Sequence, residues 1–187
     1  MARLIYQLNA TLRDVSPPVW RRVLVPGGYT LDRVHRALQL AFGWQDYHLH
    51  SFEIEGAQYG PPDPHRGLGA VDELGMADEL DTRLDAVAGK DSRFTYTYDF
   101  GDWWEHTVEV EAVFPADPEE RYPICVDGAR ACPPEDVGGA YGFANLLAAL
   151  ADPEHREHRE MLEWLGRPYA PDAFDAGRTT TLLRRLA

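Results

Sequence analysis

The sequence predicts a single α+β domain, residues 1–187, in which a mainly antiparallel sheet packs against helices. Three observations lead to this prediction. Residues 94–114 alternate aromatic and β-branched residues with polar ones around a Gly-Asp pair, which is typical of a hairpin. Residues 31–42 carry apolar residues at helical spacing, and the other helical segments are concentrated in residues 143–187. At 187 residues, the chain is long enough to bury one substantial core.

The chain begins with two predicted strands. Residues 4–12 alternate apolar and polar side chains, and residues 19–25 form a second extended stretch. Ser16-Pro17-Pro18 separates the two strands, because proline cannot continue a ladder of backbone hydrogen bonds. Pro26-Gly27-Gly28 ends the second one. We expect an antiparallel pair.

A helix follows over residues 31–42. Thr30 is a suitable N-cap, and Gly43 is a suitable C-terminal residue. The apolar stripe consists of Leu31, Val34, Leu38 and Ala41. His35 lies one residue away from that stripe.

The next segments are less regular. Residues 44–50 are predicted to re-enter the sheet, so that His48 and His50 share a strand face with Phe52 and Ile54. Residues 59–75 are rich in Gly, Pro and Asp and predict a long surface loop. Residues 77–88 fit either a short helix or a strand followed by one turn.

The aromatic stretch at 94–114 predicts its own register. Only a loop with an odd number of residues joins the apolar faces of the two arms, because a slip of one residue moves every side chain to the other face. We therefore predict three cross-strand pairs, which are Phe100 with Trp104, Tyr98 with His106, and Tyr96 with Val108. The polar residues Thr97, Asp99, Glu105, Thr107 and Glu109 should occupy the opposite face.

The C-terminal part is predicted to be helical. Residues 131–142, ACPPEDVGGAYG, form a rigid irregular loop because of their prolines and glycines. Helices are expected at 143–150, 154–165 and 179–186. In the second of them, Met161, Leu162 and Leu165 should pack inward.

The net charge of −13 argues against nonspecific binding to nucleic acid. Residues 1–50 nevertheless hold six arginines and three acids, so the charge is unevenly distributed. A nucleic-acid accessory protein using Arg13, Arg21 and Arg22 is therefore the weakest of three functional readings. No apolar run is long enough for a membrane span and no signal peptide is recognisable, so we expect a cytoplasmic protein with reduced cysteines.

Side chains that can bind metals recur along the chain. The candidates for a metal site are His48, His50, His106 and Cys132. The spacing matches neither HExxH nor a zinc knuckle, since six residues separate Cys125 from Cys132. We therefore expect no cofactor, with zinc or another divalent metal as the alternative. In that alternative the protein is a metal-dependent hydrolase using His48, His50, Asp102 and His106, with Cys132 as a further ligand.

The leading reading is a binding or interaction module for a protein, a peptide or a small molecule. No G-x-S-x-G motif and no P-loop is present. Aromatic and acidic residues instead gather beside the predicted bend at 100–104 and in the 132–142 loop, as they do in ligand pockets. The groove candidates are Trp44, Tyr98, Asp99, Asp102, Trp103, Trp104, His106, Glu135, Asp136 and Tyr141.

Two motifs carry a family resemblance, YTYDFGDWWEH and ACPPEDVGGAYG. Together with PPVWRRVLVPGGYTLDRVHRALQLAFGWQDYHLHSFEI and MLEWLGRPYAPDAFD, they make the chain resemble the plasmid pRiA-type open-reading-frame-three-like family. Its members are also labelled insertion-element passenger or TnpR-like proteins. The resemblance implies an α+β domain and no established catalytic residues. Nothing in the chain resembles the chemistry of a serine or tyrosine recombinase.

Overall fold

The structure is a computed structural model and describes residues 3–61 and 75–187. Its strands alternate buried and exposed side chains, as the sequence pattern predicts. The strands are β1 Leu4–Leu12, β2 Trp20–Pro26, β3 His50–Ile54, β4 Ala57–Gly60, β5 Ala77–Asp78, β6 Arg93–Tyr98, β7 Trp104–Pro115 and β8 Ile124–Ala129.

Five α-helices and one short 3-10 helix complete these parts of the chain. The α-helices are α1 Leu31–Phe42, α2 Leu84–Val87, α3 Gly139–Ala151, α4 His158–Leu165 and α5 Ala176–Leu183, and the 3-10 helix is Arg184–Leu186. Helix α1 has the predicted bounds, and Gly43 ends it in the left-handed conformation with φ of 96°. Thr30 occupies the N-cap position, although its side chain makes no capping hydrogen bond.

The strands form one eight-stranded sheet in the order β5-β4-β3-β6-β7-β1-β2-β8. Every pair is antiparallel except β4 with β5. The α+β class with a mainly antiparallel sheet is therefore confirmed, as are the antiparallel pair at the start of the chain and the hairpin at its centre.

The core lies between one face of this sheet and the helices. In β1 the buried residues Tyr6, Leu8, Ala10 and Leu12 alternate with the partly exposed Gln7, Asn9 and Thr11, and Ile5 is buried as well. The same cluster includes Leu31, Val34 and Leu38 of α1, Phe143 and Leu146 of α3, and Leu183 of α5. The C-terminal helices thus contribute to the core that covers the sheet.

The arms of the hairpin present the predicted side chains on each face, but they pair in a different register. Tyr98 pairs with Trp104, Tyr96 with His106 and Phe94 with Val108, so the predicted pairs are wrong by two residues. The loop has an odd number of residues, Asp99–Trp103, and it includes Phe100. Because a shift of two residues keeps every side chain on its face, the predicted aromatic face is retained.

Two other strand predictions need correction. Residues 44–49 lie outside the strands, and β3 begins only at His50. His48 and His50 therefore do not share a strand face. The predicted loop at 59–75 mostly falls outside the described residues, but Tyr59 and Gly60 belong to β4. For residues 77–88 the structure has a short strand followed by one helical turn.

The C-terminal helices also differ in their bounds. Helix α3 begins at Gly139, four residues earlier than predicted, whereas α4 begins at His158, four residues later. The Asp152-Pro153 pair lies in the turns between the two helices. Met161 and Leu165 pack against the core, but Leu162 is exposed, so its predicted inward packing is wrong.

The three arginines of the nucleic-acid reading are buried or paired with acids. Arg21 is buried, and its guanidinium donates to the carbonyl oxygens of Trp20, Ala41, Ala129 and Arg130. Arg13 pairs with Glu105 and Arg22 with Glu111. Arg22 is the main reason that the pKa of Glu111 falls to about 2. Arg21 therefore holds segments of the chain together and is not available to phosphates.

The described parts of the chain contain no helix that is both long and apolar enough to cross a lipid bilayer. Both cysteines are free thiols. Burial raises the pKa of Cys125 to about 11 and that of Cys132 well above its usual value. Both side chains are therefore protonated near neutral pH.

Candidate functional site

Three irregular segments meet beside the end of the central hairpin. They are residues 44–49, the hairpin bend Asp99–Trp103 and residues 132–138. Long-range hydrogen bonds connect them. The Trp44 indole N–H donates to the Pro133 carbonyl oxygen at 3.2 Å, the Asp99 amide to the Leu49 carbonyl oxygen at 2.9 Å, and the Gly138 amide to Asp102 Oδ2 at 3.1 Å.

Asp99 shapes the hairpin bend through its own backbone and side chain. Its φ is 58°, in the left-handed region that Asp tolerates better than most residues. The Trp103 amide donates to the Asp99 carbonyl oxygen at 2.6 Å, and the Gly101 amide donates to Asp99 Oδ1 at 2.8 Å. The other side-chain oxygen, Oδ2, faces His48. A local turn therefore presents one carboxylate oxygen to the junction of the three segments.

At this junction His48 lies among three carboxylates, and we call Asp99, Glu135, Asp136 and His48 the His48 cluster. The distances from His48 Nε2 are 3.3 Å to Asp136 Oδ1, 3.6 Å to Asp99 Oδ2 and 3.9 Å to Glu135 Oε2. The side chains of Asp99 and Glu135 are only 8% and 10% exposed, whereas that of Asp136 is 71% exposed. The cluster is thus recessed on one side and open to solvent on the other.

Two atoms of the His48 cluster are enclosed and lack a hydrogen-bond partner. They are His48 Nε2 and Glu135 Oε2. The other Glu135 oxygen is well satisfied, because Oε1 accepts from the Gln45 amide at 2.8 Å and from the Tyr98 hydroxyl at 3.2 Å. Burial raises the pKa of Tyr98, so its hydroxyl keeps the proton that it donates. Buried polar atoms are normally paired, whereas these two lie 3.9 Å apart without a hydrogen-bond partner.

The aromatic groove candidates divide into buried and exposed residues. Trp44, Tyr98 and Trp104 are buried and pack on one another, with ring centroids of Trp44 and Tyr98 5.0 Å apart. These three rings belong to the core and do not line an open groove. Trp103 and Tyr141 are exposed, at 57% and 88%. The Asp102 carboxylate accepts a hydrogen bond from the Gly138 amide and so helps to join the bend to the 132–138 segment.

His106 is a core residue rather than a ligand of this cluster. It is fully buried, its Nδ1 lies 3.1 Å from the Tyr96 carbonyl oxygen, and its ring meets those of Phe42 and Trp44 edge-on. Burial lowers its pKa to about 4, so the ring is neutral near pH 7. Sequence reasoning placed it correctly on the apolar face, and neither group of close metal-ligand atoms among the described residues contains it.

His50 belongs to a different network. Its Nε2 lies 2.7 Å from Glu79 Oε2, and its ring stacks on that of His35 with centroids 3.4 Å apart. His35 is in turn bonded to Asp46 and to the Tyr96 hydroxyl, each at 2.8 Å. Burial is the largest cause of the lowered pKa of His35, which is about 4.

The predicted metal ligands are therefore not brought together. Among the described residues, two groups of side chains offer three ligand atoms within 4.8 Å of one another, namely His48 with Asp99 and Asp136, and His35 with Asp46 and His50. Neither group contains His106 or Cys132. In the second group, hydrogen bonds already occupy both His35 nitrogens and His50 Nε2, which indicates a structural network.

Sequence reasoning missed His35, Asp46 and Glu79 as members of this network. The helical stripe excluded His35 by one position, but the buried face of α1 is wider and includes Val34, His35, Ala37, Leu38 and Gln39. A buried histidine requires polar partners, and the nearby acid Asp46 was the available signal. Glu79 gave no local signal, since its partner His50 is 29 residues away.

A separate apolar cavity of about 440 Å³ lies elsewhere in the protein. Its walls come mainly from α3, α4 and the chain after α4, and the residues are Leu147, Leu150, Ala151, Leu162, Leu165, Arg167, Pro168, Tyr169 and Pro171. It shares no residue with the His48 cluster.

The fold and this junction together define an α+β protein with a recessed acidic site at one end of its central hairpin. The sequence model of the plasmid pRiA4b ORF-3-like protein family matches residues 4–178 of this chain. The chain belongs to this family.

Two relatives are similar to this chain over most of its length. An uncharacterized protein, y4hQ, from Sinorhizobium fredii (strain NBRC 101917 / NGR234) is 41% identical over 167 residues, which cover 89% of this chain and 83% of the relative. The crystal structure of a protein of unknown function, MM3350, from Methanosarcina mazei Go1 superimposes with a TM-score of 0.86 at 33% identity. That comparison covers 95% of this chain and 98% of the other.

Proposed function

We propose that this protein is a binding module whose site, the His48 cluster, takes a positively charged ligand. The observation that carries the proposal is the pair of enclosed, unpartnered atoms, His48 Nε2 and Glu135 Oε2. Both belong to side chains that can accept a hydrogen bond or bind a cation. An unsatisfied buried acceptor costs free energy, and a bound cation removes that cost.

The charge balance of the cluster supports a cationic ligand over an anionic one. Within residues 3–61 and 75–187, Asp99, Glu135 and Asp136 form no ion pair with Lys or Arg, and His48 is the basic side chain that they share. Carboxylates held close together repel one another. A cation reverses this repulsion, whereas an anion increases it.

The surroundings suit binding rather than a purely structural role. Tyr47 and Leu49, which flank His48 in the sequence, are exposed, and so are Trp103 of the bend and Tyr141 of α3. Exposed aromatic rings beside acids are common in binding surfaces, and they contact cations favourably. In a larger cationic ligand, these residues would contact the part of the molecule that carries the charged group.

The proposal predicts that Glu135→Gln weakens the binding of cations to the protein. The substitution removes one negative charge while the amide oxygen still accepts the hydrogen bonds from Tyr98 and Gln45. Isothermal titration of the full chain with a panel of metal and small organic cations measures the effect. The matched control is Glu160→Gln, an exposed acid on α4, which should bind like the unmodified protein. Equal binding by both variants would contradict the proposal.

The other two readings receive less support. A metal-dependent hydrolase built on His48, His50, Asp102 and His106 would require side chains that belong to three different surroundings. A nucleic-acid accessory role would require arginines that are buried or paired. The insertion-element and TnpR-like labels do not occur in the matching family description, and we propose no role in transposition.

A further inference from the structure

We propose that the ligand of the His48 cluster is a single divalent transition-metal ion, held by His48 Nε2, Asp99 Oδ2 and Asp136 Oδ1, with the Glu135 carboxylate as the neighbouring negative charge. This inference rests on the proposed cation-binding function and specifies its ligand. It also replaces the metal-ligand set expected from the sequence, because His48 is the one residue common to both sets.

The distances within the cluster distinguish a metal ion from an organic ammonium group. Ligands bound tetrahedrally at about 2.0–2.2 Å from a metal lie roughly 3.3–3.6 Å from one another. Acceptors arranged around an ammonium nitrogen at about 2.8 Å lie roughly 4.6 Å apart. Asp136 Oδ1 and Asp99 Oδ2 lie 3.3 and 3.6 Å from His48 Nε2, which fits the metal. Glu135 Oε2 lies at 3.9 Å, beyond the separation of two ligands of one tetrahedral ion.

Those distances are not explained by hydrogen bonding within the cluster. His48 Nε2 makes no hydrogen bond, although Asp136 Oδ1 is only 3.3 Å away. Glu135 Oε2 likewise has no partner, and its side chain is nine-tenths buried. His48 Nε2 is therefore close to the carboxylate oxygens without a hydrogen bond to any of them, as expected of an atom that is directed at a central ion.

The ligand types narrow the choice of metal. One imidazole with carboxylates suits zinc, manganese and iron, whereas calcium and magnesium prefer oxygen ligands alone. The cluster contains no thiolate, since Cys132 is outside it and burial raises its pKa. Asp136 is mostly exposed, so one side of the ion faces solvent and can also hold a water molecule.

Hydrogen bonds fix the carboxylates of Asp99 and of the neighbouring Glu135 in the way that is usual around metal sites. Asp99 Oδ1 accepts from the Gly101 amide, and Glu135 Oε1 accepts from the Tyr98 hydroxyl and the Gln45 amide. Such outer contacts orient the carboxylates before the metal arrives, and removing one commonly weakens metal affinity about 10–100-fold. Tyr98 is accordingly a positioning residue for the site.

The test uses the full chain after dialysis against EDTA. Titration with Zn²⁺ and Mn²⁺ should give one ion per chain, and Co²⁺ should produce the visible absorption of a site with nitrogen and oxygen ligands. His48→Gln and Glu135→Gln should each weaken binding at least about 10–100-fold. The controls His155→Gln and Glu160→Gln change the same residue types outside the cluster and should bind like the unmodified chain.

A stability measurement separates lost ligation from a damaged fold. Without metal, Glu135→Gln should unfold at the same temperature as the unmodified chain or higher, because it removes repulsion among carboxylates. With metal, the unmodified chain should gain more thermal stability than the variant, because only bound ligand stabilises the native state. A variant that loses stability equally with and without metal would indicate a structural role and overturn the inference.

The two proposals can fail separately. Binding of guanidinium or lysine amide that depends on Glu135, without binding of divalent metals, would overturn the metal inference and leave the cation-binding function standing. Binding of neither kind of cation would overturn both. Metal binding that survives in His48→Gln and Glu135→Gln would show that the ion occupies another place.

Discussion

His106 shows what the interior of this protein does to a single titratable side chain. It is fully buried among Phe42, Trp44 and Tyr96, and only its Nδ1 has a polar partner. A protonated ring at this position would lose its hydration without gaining an opposite charge, and for this reason the pKa of His106 falls to about 4. The same physics makes His35 neutral. Protonation of either histidine at low pH therefore destabilises the folded protein.

We predict that His106 makes the protein less stable as the pH falls. Its folded pKa is about 4, whereas the unfolded value is 6.5, so the unfolded chain binds the proton more readily below about pH 6.5. Stability is then lost progressively between pH 6.5 and 4, by up to about 3 kcal/mol from this residue. His106→Asn, which can still donate to the Tyr96 carbonyl oxygen, should show a shallower loss in urea unfolding measured across this range.

The comparison needs a histidine that is not buried. His155 is partly exposed, and His155→Asn should keep the pH dependence of the unmodified chain. The absolute stability of His106→Asn at pH 7 will be lower, because the smaller side chain leaves a gap in the core. If the two variants show the same slope between pH 6.5 and 4, the burial of a neutral His106 is not the cause of acid sensitivity.

At the scale of elements, the beginning of α3 is built against the hairpin bend. Gly139 has φ of 66°, and a Cβ atom there would lie 2.7 Å from the Asp102 carbonyl oxygen. The Gly138 amide also bonds to the Asp102 side chain. A side chain at position 139 would therefore separate α3 from the bend, and with it Glu135 and Asp136 from Asp99. This contact explains why α3 begins earlier than periodicity predicts, since glycines normally weaken helix signals.

We predict that Gly139→Ala destabilises the protein by about 2 kcal/mol or more, because it adds a backbone clash to an unfavourable φ. The control is Gly89→Ala, where φ is not positive and nothing lies within 4 Å of the added Cβ. That variant should be neutral or slightly more stable. Chemical unfolding measures both. Equal stability of the two variants would mean that the approach of α3 to the bend is not required.

The hairpin shows where a prediction from periodicity stops. Alternation assigned Tyr96, Tyr98, Trp104, His106 and Val108 to one face, and the structure agrees. The loop is residues 99–103 instead of the predicted 101–103, because the left-handed conformations of Asp99 and Trp103 close a wider loop. The face on which a side chain lies follows from the pleat of the strand. The length of the loop depends on backbone conformations, which the pattern of side chains does not report.

At the scale of the whole molecule, the end of the sheet at β8 is closed by the C-terminal helix. The Cys125 amide donates to Thr180 Oγ1, and the Thr180 hydroxyl donates back to the Cys125 carbonyl oxygen, each at 3.0 Å. Strand β8 is the last in the sheet order, so these groups have no neighbouring strand on that side. Open edges invite pairing with other chains, and α5 covers this one.

We predict that Thr180→Val lowers the free energy of unfolding by about 1–3 kcal/mol, because it leaves two backbone groups of the edge strand without partners. Thr181→Val is the control, since the Thr181 hydroxyl is exposed and bonds only within α5, to the Gly177 carbonyl oxygen. It should change stability by no more than about 0.5 kcal/mol. Hydrogen exchange of the Cys125 amide should accelerate in the first variant alone, and unchanged exchange there would contradict the closure of the edge by α5.

The sequence by itself determined the α+β class, the opening pair of strands, helix α1 and the faces of the central hairpin. These features depend on periodicity within one segment, and the repeat of a strand or a helix is a local property of the backbone. The acids and the histidine of the His48 cluster were also recognised as candidates, but without the correct partners. Residues 48, 99 and 135 belong to separate irregular segments, and no local pattern relates them.

Only the tertiary structure decided which side chains meet. It separated His48 from His50, because β3 begins only at His50, whereas alternation placed both histidines on one strand. It brought Asp99 and Glu135 to His48 through hydrogen bonds between segments that are tens of residues apart in sequence. A site of this kind depends on the left-handed turns at Asp99 and Asp136 and on the packing beneath them, and a linear sequence does not display either one.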